Sequence, residues 1–327
     1  MAQPATSISG DLTSVEGLLR EELARGDRSL RGVAPVLAHM LASPGNAMVT
    51  DAIVARVRGM LEHLARQLLA AERAERMGDA ARGSADPPED VDALAAWLAS
   101  DHVVLGHSYV LAMESHLAER LERRASVDPV LSPLLQELIA SEKPATAELA
   151  MATLAAQSRF IQSQRRMDMP LAELPAELFL SVIECWQNAA SESNGEDVPR
   201  GAVDRLKRSY DEGASRGGLL ARLVSAMGNG AVAALELEHA GLALFATALA
   251  SRTRQPRDNA VIACHESQAA RLALAFRAAG MDAAAIERQF LVLEPGISVP
   301  EVIGKLAPDR AQAILAQSEA RVMDIER

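Results

Sequence analysis

Aromatic residues make up only 3% of this 327-residue chain: two Trp, two Tyr and five Phe. An interior with so few rings has to be filled by Leu, Ala, Val, Ile and Met, which suits close-packed helices better than a β-sandwich. Period-two alternation is missing too, so strands are not expected. Lysine occurs only at Lys143, Lys207 and Lys305, and the 44 acidic residues outnumber the 33 basic ones for a net charge of −11. Phosphate backbones need a concentrated basic surface and single strands need aromatic platforms, so nucleic acid is not an expected partner. Cysteine is limited to Cys185 and Cys264, each inside an apolar helical pattern. That excludes a disulfide framework and reads as two reduced, buried thiols. The first residues, Met1 to Thr6, offer neither a basic n-region nor an apolar h-region, so no secretory signal is expected. The most apolar stretch, Gly230 to Ala250, is interrupted by Glu236, Glu238 and His239, and no membrane span is expected there. These absences together point to a cytoplasmic chain whose 49% apolar content can bury a core.

Chemical signatures are equally scarce. His102, His107 and His116 fall on one predicted helix, but at 100° per residue His102 and His107 diverge by about 140°. His102 and His116 share a face yet stand roughly 21 Å apart, so no two of the three can hold one ion. Glu236 and His239 have the Glu-x-x-His spacing of di-iron bundles, a chemistry that needs a second such pair and two further glutamates. Gly217-Gly218 and Gly228-Asn229-Gly230 read as turns between helices, not as a phosphate loop. No Ser-His-Asp or Cys-His arrangement stands out. The sequence therefore offers no catalytic constellation, no metal set and no cofactor motif.

What is present is helix after helix. Residues 1–12 read as a flexible leader and 13–78 as an N-terminal helical segment. Within it, Thr13 and Glu16 have capping-box spacing, and Asp27 is placed at the start of a second short helix ending near Leu41. A long helix then spans 49–77, with Val54, Val57, Leu61, Leu64, Leu68 and Ala71 spaced alternately three and four. That seam suits either a homodimer or packing within one chain. The stretch Asp79 to Asp90, with Pro87-Pro88, reads as a linker, followed by a first helical unit over 91–190, a connector at 191–199 and a second unit over 200–327. Helices are expected at about 91–100, 103–125, 130–141, 144–167, 175–190, 200–213, 217–227, 231–252, 257–265, 267–280, 282–292, 299–306 and 308–325. At an offset of 123 residues Ala140, Leu149 and Met151 meet Ala263, Leu272 and Leu274, the trace a tandem duplication would leave, although an Ala/Leu-rich chain also produces such matches by chance. The expected fold is all-α: a multi-helix array, as two tandem helical-repeat units if the duplication is real, plus the N-terminal extension.

Two sets of residues carry the functional expectations. The segment Gln157 to Phe179 places Arg159, Gln162, Arg165 and Arg166 on a helix running into a Pro-bounded turn. Arginine and glutamine give bidentate and amide hydrogen bonds to a protein partner, and a solvated helix face accounts for them equally well. The other set is histidine. His63 on the long helix and His116 are the phosphoacceptor candidates for a signalling relay, since an imidazole exposed on a helix can carry a phosphoryl group. A small-molecule sensor with an apolar inter-helix pocket is the third expectation.

The run RRMDMPLAELPAELF (165–179), the stretch HAGLALFATALASRT (239–253) and AFRAAGMD (275–282) resemble a large bacterial all-helical family known only as domain of unknown function 2336. The resemblance covers roughly residues 95–310. It implies a helical, repeat-like domain in a bacterial cytoplasm and brings no substrate, cofactor or catalytic residue. The expectation that emerges is a non-enzymatic protein–protein interaction module: a scaffold, adaptor or regulator.

Overall fold

The computed structural model describes residues 8–31, 50–78, 86–194, 198–296 and 301–323. Among these it contains 14 α-helices, short 3-10 turns and no strand. The helices are α1 (Ile8–Arg31), α2 (Asp51–Met77), α3 (Pro88–Ser100), α4 (His102–Ala125), α5 (Pro133–Ile139), α6 (Pro144–Arg165) and α7 (Ala176–Asn194). They continue with α8 (Arg200–Ser209), α9 (Arg216–Met227), α10 (Leu237–Thr253), α11 (Arg257–Ala263), α12 (Ala269–Ala278), α13 (Ala283–Leu293) and α14 (Pro308–Met323). The all-α expectation is met.

Proline and aspartate set several of the boundaries. Pro88 and Pro144 occupy the first turns of α3 and α6, where a missing N–H costs nothing. The Asp282 side chain caps α13 by accepting from the N–H of Ala285 at 2.8 Å. Other boundaries differ from expectation. α1 is continuous through Asp27, so that residue opens no second helix; the rest of the expected 27–41 helix, beyond Arg31, lies outside the described residues. Residues 8–12 belong to α1 and not to a leader. Residues 88–90 form the first turn of α3, and α7 runs on to Asn194, so both connectors are shorter than composition suggests. The helix expected over 231–252 is broken. Gly228 takes φ +54, residues 228–235 are 3-10, Glu236 is extended and Gly241 has φ +70 inside α10. Only glycine adopts such φ values cheaply, so these two positions fix the kinks. Residues 301–305 are likewise 3-10 rather than α.

The chain clusters into two compact units, neither a continuous half of the sequence: residues 1–32, 116–137 and 224–327 form one, and 33–115 and 138–223 the other. In the first, α12 packs on α14 and α1 lies against both. Three of the five phenylalanines meet there edge to face: Phe245 with Phe276 at 5.8 Å and Phe276 with Phe290 at 6.0 Å. α10 is buried almost all round, as expected of a helix apolar on every face. Asp27 on α1 forms a buried ion pair with Arg271 on α12, completed by the hydroxyl of Ser318 on α14. Near the other end of α1, Arg310 on α14 meets Glu16 at 2.9 Å and holds its carboxyl below the usual range.

In the second unit the apolar seam of α2 is covered by its own chain. Val57, Leu61, Leu64 and Leu68 are buried, and α2 packs on α3 and α8 while α3 packs on α7. A homodimer through the 49–77 helix would therefore have to use the other face of α2. The fully buried side chains of this unit include Trp186, Met60, Leu98 and Met169. A charged pair is buried in the same unit. Arg216 donates to Glu114, its Nε donates to Gln157 Oε1 at 2.6 Å, and its guanidinium lies 3.7 Å over the Phe160 ring.

Among the described residues one run, Arg216–Leu235, is long and apolar enough to cross a membrane by length and composition. It turns from α to 3-10 at Gly228, and 39% of its apolar window is buried within the chain.

Candidate functional site

α6 and its C-cap residue, Arg166, carry the first set of sequence candidates on their outer side. Arg159, Gln162, Arg165 and Arg166 are all exposed. Arg159, Gln162 and Arg166 follow one another at three and four residues and share a face, while Arg165 stands on its flank. Arg166 pairs with Asp168 at 2.9 Å. Among the described residues Arg159 and Arg165 make no ion pair, unlike Arg66, Arg73, Arg76 and Arg205 of the same unit. The inner side of α6 is small or amide-bearing: Ala150, Thr153, Ala156, Gln157 and Gln164 are buried. The face also extends toward the helix N-terminus through Ala155, Ala152 and Glu148, all exposed. The three-four spacing marks these three in the sequence, but a row of alanine and charge gives no apolar stripe to notice.

The C-terminus of α6 is locked by an unusual residue. Met167 has φ +60, and the N–H of Asp168 reaches back to the carbonyl of Ser163 at 2.8 Å, closing the helix in a left-handed cap. Glycine would ordinarily hold that position. Here glycine stands on the other side of the contact, because Gly59 of α2 has no room for a Cβ against Met167.

His63, on α2, is tied to the turn that follows. Its Nδ1 accepts from the N–H of Met169 at 3.1 Å and faces the Gln67 amide nitrogen at 2.9 Å. The carbonyl of Met169 also lies 3.0 Å from Nδ1, so this edge of the ring is held against both the N–H and the C=O of one residue. On the other edge, Nε2 lies 3.7 Å from Asp168 Oδ1. Gln67 completes the pin, donating to the carbonyl of Met169 and accepting from the N–H of Leu171, both at 2.9 Å. A phosphoryl group on His63 would have to displace a backbone contact or approach a carboxylate.

His116, the other phosphoacceptor candidate, is half-buried on α4 and senses His265 electrostatically. Burial holds His265 below the usual imidazole range; Arg120 and His116 add to this, while Glu266 and Glu294 oppose it. Arg120 reaches Glu294 at 2.5 Å. His63 belongs to the second unit and His116 to the first. The Glu-x-x-His pair is divided among protein partners. Gln289 donates to Glu236 at 2.6 Å, and His239 lies 3.4 Å from Glu137. Among the described residues no three His, Cys, Asp or Glu side chains are grouped to hold a metal.

A cavity of about 450 Å³ opens between α2, the 171–173 turn, α7 and α8, walled chiefly by Ala70, Ala71, Leu171, Phe179, Leu206 and Tyr210. Phe179 and Tyr210 stack at 4.2 Å, and the Tyr210 hydroxyl donates to the carbonyl of Leu174 at 2.7 Å. Burial, with Glu212 and Asp211 nearby, pushes that phenol up to about 12, so it stays neutral. No charged side chain lines the cavity. Sequence could not reveal it, because its walls use the same Leu, Ala and Phe that fill cores.

No protein-family model, no curated protein and no solved structure matches this chain.

Proposed function

We propose that this chain is a non-enzymatic protein–protein interaction module of a bacterial cytoplasm, a scaffold, adaptor or regulator that acts through the exposed face of α6. The observation that carries the reading is the state of its arginines. Arg159 and Arg165 hold guanidinium groups in solvent without an ion-pair partner among the described residues, beside the Gln162 amide. Such groups are ready to form charge-assisted and bidentate hydrogen bonds to carboxylates on another protein, with little of their own to give up. The all-helical array supplies the rigid backing that an interaction surface needs; the step from array to binding is an analogy between folds.

The test is affinity capture of the tagged chain from its native cells, beside a variant carrying Arg159→Ala, Arg165→Ala and Arg166→Ala. The expected outcome is a stoichiometric partner lost from the variant while its melting temperature stays within about 2 °C, as for surface substitutions generally. Equal capture by both proteins would remove this surface from the reading.

A second reading, a small-molecule sensor, is favoured by the uncharged cavity beside Phe179 and Tyr210. A neutral apolar dye displaced on replacing Ala71 by Trp would give it weight.

A further inference from the structure

We propose that the face of α6 docks a second copy of this chain, the two α6 helices running antiparallel across a two-fold axis. This rests on the interaction reading above and names the occupant of the same surface. Glu148, Ala152, Ala155, Arg159, Gln162 and Arg166 alternate spacings of four and three, and all six are exposed on one side of the helix. That is the spacing of a coiled-coil seam, set on the outside of the unit. Its chemistry is graded along the helix. A carboxylate stands toward the N-terminal end, two methyl side chains in the middle, and guanidinium groups toward the C-terminal end.

A graded face of this kind is complementary to itself when reversed. In a two-fold contact the same patch serves both subunits, and each pairing occurs twice. Setting Ala152 opposite Ala155 of the second copy brings Glu148 opposite Arg159 of that copy, and the symmetry forms the reciprocal pair. A parallel arrangement would place Arg159 on Arg159 and Glu148 on Glu148, so charge alone selects the antiparallel one. The alanines at the crossing let the two backbones approach, which brings the longer charged side chains within reach of one another. Neither Glu148 nor Arg159 forms an ion pair among the described residues, while Glu62 and Glu72 on α2 are each taken by an arginine one turn away. The apolar seam of α2, the other coiled-coil pattern in the chain, is buried within its own unit.

The contact is limited. α6 has 22 residues, about 33 Å of helix, and one helix pair of that length lies at the low end of specific interfaces. The dimer is therefore weak, with a dissociation constant on the order of 10 µM, within the range that small interfaces show.

The experiment is sedimentation equilibrium of the full chain from about 1 to 200 µM, a range that brackets that constant. Three proteins are compared: wild type, Arg159→Glu, and Glu148→Arg combined with Arg159→Glu. Wild type is expected to pass from monomer to dimer over this range. Arg159→Glu should weaken association at least tenfold, and the double exchange should restore it to within about threefold, since it recreates both pairs with their signs reversed. A wild-type chain that stays monomeric overturns the proposal. So does a dimer indifferent to Arg159→Glu, or one the double exchange fails to restore. A monomeric wild type whose triple-arginine variant still loses a different protein in the capture experiment would end the self-docking proposal and leave the interaction reading standing.

Discussion

Asp27 and Arg271 stand 244 residues apart in the sequence and form one buried ion pair, exposed by only 5% and 4%. The Ser318 hydroxyl donates to the same carboxylate, so three helices meet at one oxygen pair. Removing one member leaves the other charged, buried and unpaired. Asp27→Ala is expected to destabilise the chain by about 3–5 kcal/mol, the usual cost of orphaning such a charge. Asp27→Leu combined with Arg271→Met, which removes both charges, should lose much less. Urea unfolding followed by far-UV circular dichroism measures both, and equal losses in the single and double variants would show that packing, not charge, holds α1 here.

Gly59 and Met167 form a reciprocal pair, one lacking a side chain where the other has one. Gly59→Ala would ordinarily strengthen α2 by roughly 1 kcal/mol through helix propensity. Against Met167 the added methyl has no room, so the expected net effect is a loss of about 1–3 kcal/mol, the range for overpacking. Met167→Gly in the same chain clears the space and relieves the positive φ. The double variant should then be more stable than Gly59→Ala alone, and a double-mutant cycle from denaturation midpoints gives the coupling.

Cys185 is half-buried, and burial with the nearby Asp101 carboxylate pushes its thiol up to about 11. Only the thiolate reacts, so at pH 8 its reaction with an aromatic disulfide should be roughly hundredfold slower than that of an ordinary protein thiol. The folded chain keeps this proton after the unfolded chain has lost it. Stability contributed by Cys185 is therefore present below pH 9 and declines as pH climbs from the ordinary thiol value of 9.0 toward 11. Comparing the alkaline stability profile of wild type with that of Cys185→Ser isolates the effect, and the variant's profile should be flatter.

Much of the helical architecture was legible in the pattern of residues. The long apolar seam spaced by three and four gave α2 to within two residues of its observed start and the same last residue. Pro144 marked the start of α6. Gly228-Asn229-Gly230 reads as a turn and Gly228 does take a positive φ, but the second bend, at Gly241, sits inside an apolar run that carries no other stop signal, and there the approach of Ser132 leaves little room for a side chain. Asp27 looked like a cap because aspartate is a good one. Its actual partner lies 244 residues away, beyond anything a local pattern can register.

The candidate site divides in the same way. Arg159, Gln162, Arg165 and Arg166 could be picked out from type and spacing, since a helix places residues three and four apart on one face. Which side of α6 would face solvent was not visible, because both sides mix small and polar residues. Tertiary packing decided it by burying Gln157 under Arg216 and Gln164 against Met60. His63 shows the limit most plainly. By its place on a helix it reads as an exposed imidazole, and only the return of the chain at Met169 ties its ring to the backbone. Composition and period determined that this chain is helical, because propensity and amphipathicity act over one or two turns. The pairing of buried charges, the covering of the α2 seam and the opening of the cavity depend on contacts between distant segments, and those were decided by the tertiary structure alone.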